Sequence, residues 1–212
     1  MMMPLAAALS LAAQCAPSIA PETLLSVVHV ESRFNPLAIG VNGAPRVMVN
    51  AATKGEAVIR ATALIAAGHS VDLGLAQINS KNLRWLGLSI ADAFDPCANL
   101  AAAARVLQDG YARSDANRIG QQAAVQTALS FYNTGRPDRG FANGYVGKVT
   151  RAATYIVPAI DAPTGPRPAS SPQPAAAIAP PPSPAWDVFG EAHGGASAFV
   201  INVSTQPSGG LQ

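Results

Sequence analysis

The chain has 212 residues, of which 49% are hydrophobic and only 12% are charged, and its formal net charge is +2. This composition is typical of a globular protein and excludes a wholly disordered one. The small positive excess does not indicate a nucleic-acid-binding protein. No apolar run reaches the roughly 18 residues that predict a membrane-spanning helix.

The N-terminal residues 1–14 are consistent with two interpretations. A short apolar core followed by small residues is typical of a signal peptide, although no Lys or Arg precedes it. The same residues could instead form a short helix that packs on the domain. The two cysteines, Cys15 and Cys97, are consistent with one disulfide or with two buried thiols. No Cys-x-x-Cys pair or histidine cluster is present, so the sequence predicts no metal site.

The first clear element is a helix over residues 21–34 that carries one carboxylate on its apolar side. Pro21 suits the first helical position, and Asn35-Pro36 is predicted to end the helix. On a helical wheel Glu31 falls between Leu24 and Val27, inside the apolar stripe. A carboxyl group in such a setting holds its proton more tightly, as a general acid near neutral pH requires. The alternative is a buried glutamate held by a structural hydrogen bond or ion pair.

The middle of the chain predicts a small hairpin and a series of helices, so the class is mainly α. Asn42-Gly43, next to the alternating residues 46–50, favours the hairpin. Gly68 and Gly135 are suited to end two of the helices. The predicted helices span residues 55–67, 100–111, 120–132 and 145–157.

Residues 70–79 are predicted to be a loop in which Gly74, Gln77 and Asn79 alternate with apolar residues. Amide side chains both donate and accept hydrogen bonds, which suits the recognition of sugar hydroxyls and acetamides. A buried turn explains the same pattern equally well.

The C-terminal part differs in composition from the rest of the chain. Pro158 is predicted to close the domain near residue 160, and residues 161–212 are rich in Pro, Ala and Gly. Such a segment cannot build a core, so it is predicted to be a disordered tail. Alternatively, its apolar residues 199–203 could dock as a strand on a partner protein.

Four short motifs follow one another along the chain: Glu31-Ser32, Gly-Leu-Ala-Gln-Ile-Asn at 74–79, Phe-Tyr-Asn-Thr-Gly at 131–135, and Tyr145. In this order they resemble the soluble lytic transglycosylase family, which is related to goose-type lysozyme, over about residues 15–157. The sequences around Cys15, Cys97 and Tyr145 are similar to the transglycosylases of type IV secretion and conjugation systems. The resemblance implies an α+β, predominantly α, lysozyme-like domain over residues 15–160 with a small β-hairpin beside the cleft.

The resemblance also implies roles for individual residues. Glu31 would be the catalytic acid, and Tyr132 would orient it. Cys15 and Cys97 would form a disulfide, as expected in an oxidising compartment. Ala76 departs from the pattern, because many soluble members have Met there, and the substrate contact at this position is left open. The other residues implied to support the site or contact sugar are Ser32, Gln77, Asn79, Asn133 and Tyr145.

The activity implied by the resemblance is cleavage of the MurNAc-β-1,4-GlcNAc bond of peptidoglycan with formation of 1,6-anhydro-MurNAc. It would take place in the periplasm without cofactor or metal, and would open the cell wall for a secretion or conjugation machinery. The expected partners are glycan strands and, through the tail, components of that machinery. One alternative is a hydrolytic, lysozyme-type muramidase that uses Asp72 as its base. Another is a peptidoglycan-binding assembly factor.

Overall fold

A computed structural model of the protein describes residues 2–43 and 45–161. Within these residues there are nine α-helices and one four-stranded antiparallel sheet, which confirms the predicted class, α+β with helices dominating. The strands are β1 (Ile39–Val41), β2 (Val47–Val49), β3 (Val71–Leu73) and β4 (Ile78–Asn79). The helices are α1 (Leu5–Cys15), α2 (Pro21–Ser32), α3 (Lys54–Ala66), α4 (Leu83–Leu86), α5 (Pro96–Ala112), α6 (Ala116–Ile119), α7 (Gln121–Thr134), α8 (Arg139–Ala142) and α9 (Tyr145–Asp161).

The helix ends follow from capping residues in the sequence. Thr53 caps α3 by accepting a hydrogen bond from the amide of Glu56, and Asp95 caps α5 by accepting one from the amide of Ala98. At the C-terminal ends the chain turns into left-handed backbone, at Gly135 after α7 and at Arg33 after α2. Because Arg33 already has a φ of +52°, α2 ends before the Asn35-Pro36 pair that was predicted to stop it.

The sheet has the strand order β2-β1-β3-β4. Strands β1 and β2 form the predicted hairpin, with Val41 opposite Val47. The loop predicted for residues 70–79 is wrong in part, because β3 and β4 occupy its two ends and pair Asp72 with Asn79. These strands have only three and two residues, too few for alternation along the sequence to reveal them.

The core is centred on α2, whose Leu24, Leu25, Val27 and Val28 have no exposed surface. Burial of each such side chain contributes about 2 kcal/mol of folding free energy. Helix α2 packs mainly along α9, while α5 packs mainly along α7 and α1. The pairing of α2 with α9 brings the C-terminal end of α2 close to the start of α9.

Helix α1 is part of the packed domain. Its Ala8 and Ala12 are buried, and the amide of Met3 donates to the carbonyl of Phe34 at 2.8 Å. A disulfide joins Cys15 at the end of α1 to Cys97 in the first turn of α5, with the Cα atoms 5.4 Å apart. The packed unit therefore includes residues upstream of the boundary predicted at residue 15.

The C-terminal helix also extends further than predicted. Pro158 does not end the helix, since α9 continues through it to Asp161. The part of the predicted tail that follows Asp161 lies outside the described residues. Among the described helices, none has both the length and the hydropathy needed to cross a membrane.

Candidate active site

A cavity of about 520 Å³ lies between the end of α2, the sheet, and helices α4, α5 and α7. This volume is in the range of pockets that bind small molecules or short stretches of a polymer. The carboxyl group of Glu31, in the last turn of α2, lies at one wall. Five side-chain amides line the cavity, and amides recognise sugar hydroxyls and acetamides well; they belong to Asn42, Gln77, Asn79, Asn82 and Asn133.

Glu31 is held by one tyrosine. The hydroxyl of Tyr145, the first residue of α9, donates to Oε1 of Glu31 at 2.6 Å. Burial raises the pKa of Glu31 from 4.5 to about 7, against the lowering effects of the Tyr145 hydrogen bond and of the nearby Arg46 charge; the Asp72 carboxylate adds to the increase. A carboxyl group with this pKa is protonated at slightly acidic pH and can still give up its proton, as a general acid must.

The predicted role of Tyr132 in orienting Glu31 is wrong in this structure. The Tyr132 hydroxyl instead donates to the carbonyl of Ala76 at 2.6 Å, so it fixes the turn between β3 and β4. Two tyrosines occur in the motifs, and the sequence order does not say which of them reaches across to α2. Ala76 itself is fully buried, so its methyl group does not form the cleft wall that the Met of other members implies.

The turn between β3 and β4 is built around a buried asparagine that the sequence analysis did not single out. The Nδ2 group of Asn99 donates to the carbonyls of Leu73 and Ala93, at 2.9 and 2.7 Å, and its Oδ1 accepts from the amide of Ala76 at 2.8 Å. Gly74 in this turn has a φ of +75°, and a Cβ there would collide with Asn99. The turn therefore requires both Gly74 and Asn99.

Gln77 lies in the same turn and lines the cavity, but its polar atoms are bonded to protein. Its Nε2 donates to the carbonyls of Ala38 and Gly74, both at 3.0 Å, and its Oε1 accepts from Nη2 of Arg46 at 3.1 Å. The side chain is buried. Gln77 consequently shapes the wall and holds Arg46 in place.

Asp72 brings a second carboxylate to the cavity from the middle of β3. Its Oδ2 forms an ion pair with Nη2 of Arg46 at 3.0 Å, and its Oδ1 accepts from Nδ2 of Asn79 at 2.6 Å. Burial raises the pKa of Asp72, while the hydrogen bonds from Asn79 and Asn42 and the charge of Arg46 lower it. Arg46 was missed because a single arginine in a hairpin loop has no sequence signature; only its proximity to Asp72 and Gln77 identifies it.

The remaining predicted residues lie in different positions. The hydroxyl of Ser32 donates to the carbonyl of Val28 at 3.4 Å, within its own helix. Ser32 is not among the described residues that line the cavity. Asn133 is exposed at the cavity, and its Oδ1 accepts from Asn143 at 2.8 Å. Its predicted contact with sugar stays a prediction. No group of His, Cys, Asp or Glu suited to hold a metal ion occurs in residues 2–43 and 45–161.

Comparison with known proteins gives a family for this arrangement. The chain is 42% identical to protein virB1 of Agrobacterium fabrum, over 71% of the chain and 61% of that protein. It is 45% identical to protein virB1 of Rhizobium radiobacter, over 70% of the chain and 62% of that protein. It is also 42% identical to the type IV secretion system protein virB1 of Brucella abortus, over 68% of the chain and 63% of that protein.

The matched region covers only about three-fifths of the length of these relatives. Comparison with solved structures gives no match. The family described as the transglycosylase SLT domain matches residues 8–154, a range that starts inside α1 and ends inside α9 and includes Glu31, Asp72, Tyr132 and Tyr145. The resemblance stated from the motifs is confirmed, and this chain belongs to the transglycosylase SLT domain family.

Proposed function

We propose that the chain is a lytic transglycosylase that cleaves the MurNAc-β-1,4-GlcNAc bond of peptidoglycan and leaves a 1,6-anhydro-MurNAc end. The observation that carries this proposal is Glu31, a carboxyl group with a pKa of about 7 at the wall of a cavity rich in amides. The family to which the chain belongs supports the same chemistry.

The reaction needs one titrating carboxyl group. Glu31 donates its proton to the glycosidic oxygen, and the bond from this oxygen to C1 of MurNAc breaks as the GlcNAc alcohol leaves. The 2-acetamido group of MurNAc stabilises the positive charge that develops at C1. The Glu31 carboxylate then removes the proton from the C6 hydroxyl, whose oxygen bonds to C1 and closes the anhydro ring. Glu31 is protonated again, and no water is consumed.

The surroundings of the other cavity carboxylates support this route over hydrolysis. A hydrolase would need a second carboxylate free to act as base or nucleophile. Both oxygens of Asp72 are occupied, by Arg46 and Asn79, and Asp109 is paired with Arg113 at 3.1 Å. Asp72 nevertheless shares the cavity with Glu31, so a lysozyme-type hydrolase using Asp72 is the second candidate.

The two candidates differ by one water in their product. Isolated sacculi digested with the wild-type chain and analysed by mass spectrometry should release muropeptides that end in anhydro-MurNAc. Products heavier by one water, with a reducing MurNAc end, would instead establish hydrolysis by the second candidate.

We propose the periplasm as the place of action and type IV secretion as the process. A disulfide such as Cys15–Cys97 is stable in an oxidising compartment. A relative is named a type IV secretion system protein, which supports local opening of the cell wall for such a machinery.

The proposed route to the secretion machinery is the tail at residues 161–212. A chain that ends at Asp161 should keep its melting temperature and its activity on purified sacculi, because the described residues already contain the core and the cavity. It should lose binding to the secretion components. Loss of cleavage in vitro on truncation would show that the tail takes part in catalysis and would contradict this division.

A further inference from the structure

One wall of the cavity has no part in the proposed reaction. It is formed by α4, α5 and α7, and we call it the outer wall; its residues are Trp85, Val106, Asp109, Arg113 and Phe131. It is built differently from the wall around Glu31, since it combines two aromatic rings with a cation. These are groups that bind a ligand rather than react with it.

Trp85 is presented to the cavity by a short, firmly anchored helix. Its neighbours Leu83 and Leu86 in α4 are buried, whereas Trp85 itself is 47% exposed. Arg105 of α5 fixes the helix by donating to the carbonyls of Leu86 and Trp85, at 2.7 and 3.3 Å, and its guanidinium carbon lies 5.5 Å from the centre of the indole ring. The position of the indole is thus determined before any ligand arrives, which lowers the entropic cost of binding.

Arg113 is similarly held and keeps unused donors. Its guanidinium carbon lies 4.1 Å from the centre of the Phe131 ring, and its Nη1 donates to Asp109 at 3.1 Å. Among the described residues its Nε and Nη2 groups have no acceptor. A guanidinium carries five N–H groups in a fixed plane, so several remain available to oxygen atoms of a ligand.

We propose that Trp85, Phe131 and Arg113 form a further saccharide subsite, which binds another sugar ring of the same glycan strand. The apolar C–H face of a pyranose ring covers an indole and displaces water from it. The free N–H groups of Arg113 then donate to the acetamide or lactyl oxygens of that sugar. The inference rests on the proposed function and deepens it, because it assigns a preference for longer strands.

The subsite can be tested by binding, independently of cleavage. Peptide-free glycan strands of two lengths, a tetrasaccharide and a much longer fraction, are titrated calorimetrically into the full chain carrying Glu31→Gln. The longer strand should bind about tenfold more tightly than the tetrasaccharide, and adding Trp85→Ala should abolish most of that difference. Arg113→Gln should reduce it several-fold.

Matched controls separate the outer wall from general surface effects. Tyr155 is an aromatic residue on α9 that is 61% exposed. Arg60 forms an i,i+4 ion pair with Glu56, as Arg113 does with Asp109. Neither Tyr155 nor Arg60 lines the cavity. Tyr155→Ala and Arg60→Gln should leave the length preference unchanged. If Trp85→Ala does not fold, as judged by its melting transition, then Trp85→Leu and Arg113→Gln decide the result.

An unchanged length preference in the folded outer-wall variants would overturn the proposal. So would a loss of affinity that appears only when strands carrying stem peptides are titrated in parallel, because the wall would then bind the stem peptide. Cleavage of sacculi by the chain with intact Glu31 is measured separately. If it is absent while the length preference depends on Trp85, the proposed function fails and the saccharide subsite stands.

Discussion

The two walls that meet at Glu31 are built on different physical principles. On the helical side, α2 and α9 pack through apolar residues, and one hydrogen bond from Tyr145 positions the reactive carboxyl group. On the sheet side, a network of hydrogen bonds and one ion pair joins Arg46, Asp72, Gln77 and Asn79. The comparison indicates that the side with few polar partners leaves its carboxyl group able to exchange a proton. The side rich in partners holds its groups fixed.

Among the helices, α1 and α5 are cross-linked by the disulfide, whose removal should have the largest effect on stability. The bond spans a sequence separation of 82 residues, so its loss restores much conformational entropy to the unfolded chain. The double variant Cys15→Ser/Cys97→Ser should lose between about 4 and 5 kcal/mol of unfolding free energy. Urea unfolding of this variant and of the oxidised wild type measures the loss, with the reduced wild type as control. Equal stability of all three proteins would contradict a structural disulfide.

The sheet side depends on Asn99 in a comparable way. Asn99→Ala leaves the amide of Ala76 and the carbonyls of Leu73 and Ala93 without partners in a buried turn. We expect a loss of about 3 to 4 kcal/mol, together with reduced cleavage, because Asp72 and Gln77 depend on this turn. The exposed Asn117 on α6 supplies the matched control, since Asn117→Ala should change the unfolding free energy very little. A similar small change for Asn99→Ala would show that the turn is held by other contacts.

Glu31 itself should destabilise the folded chain at alkaline pH. Folding raises its pKa from 4.5 to about 7, so the folded state binds this proton more tightly than the unfolded state. The resulting stabilisation is complete below the unfolded pKa and is lost as the pH rises through the folded one. Glutamine remains neutral, so Glu31→Gln should gain up to about 3 kcal/mol relative to wild type on going from about pH 4 to about pH 8. A stability difference that is the same at both ends of this range would contradict the raised pKa.

The smallest expected effect separates the two tyrosines. Tyr145→Phe removes the hydrogen bond that lowers the pKa of Glu31, so the alkaline limb of the pH–activity profile should move to higher pH and turnover should fall. Tyr132→Phe frees only the carbonyl of Ala76, so it should cost about 1 kcal/mol of stability without moving that limb. The profiles of both variants on sacculi test the distinction. A shift of the alkaline limb in Tyr132→Phe and none in Tyr145→Phe would instead show that Tyr132 orients Glu31.

The sequence predicted the helical side better than the sheet side, for a physical reason. Glu31 could be recognised because helical periodicity is local, so a charge in the apolar stripe of α2 is visible within one helix. The partners of the network could not, because Arg46 and Gln77 are 31 residues apart and meet only through the sheet. The prediction of Tyr132 in place of Tyr145 as the partner of Glu31 was wrong for the same reason, since Tyr145 and Glu31 are separated by 114 residues. Trp85 could not be recognised from the sequence either, because its exposure at the cavity depends on the packing of α4 against Arg105.

The most direct test of the account compares wild type, Glu31→Gln and Asp72→Asn on the same sacculi, following released muropeptides by amount and by mass. Glu31→Gln should fold normally and lose cleavage by at least about a hundredfold, the scale of a removed general acid. Asp72→Asn should still release anhydro-MurNAc products, because its carboxylate positions Arg46 and does not exchange a proton with substrate. Retained cleavage by Glu31→Gln, or hydrated products that disappear with Asp72→Asn, would contradict a single-acid transglycosylase.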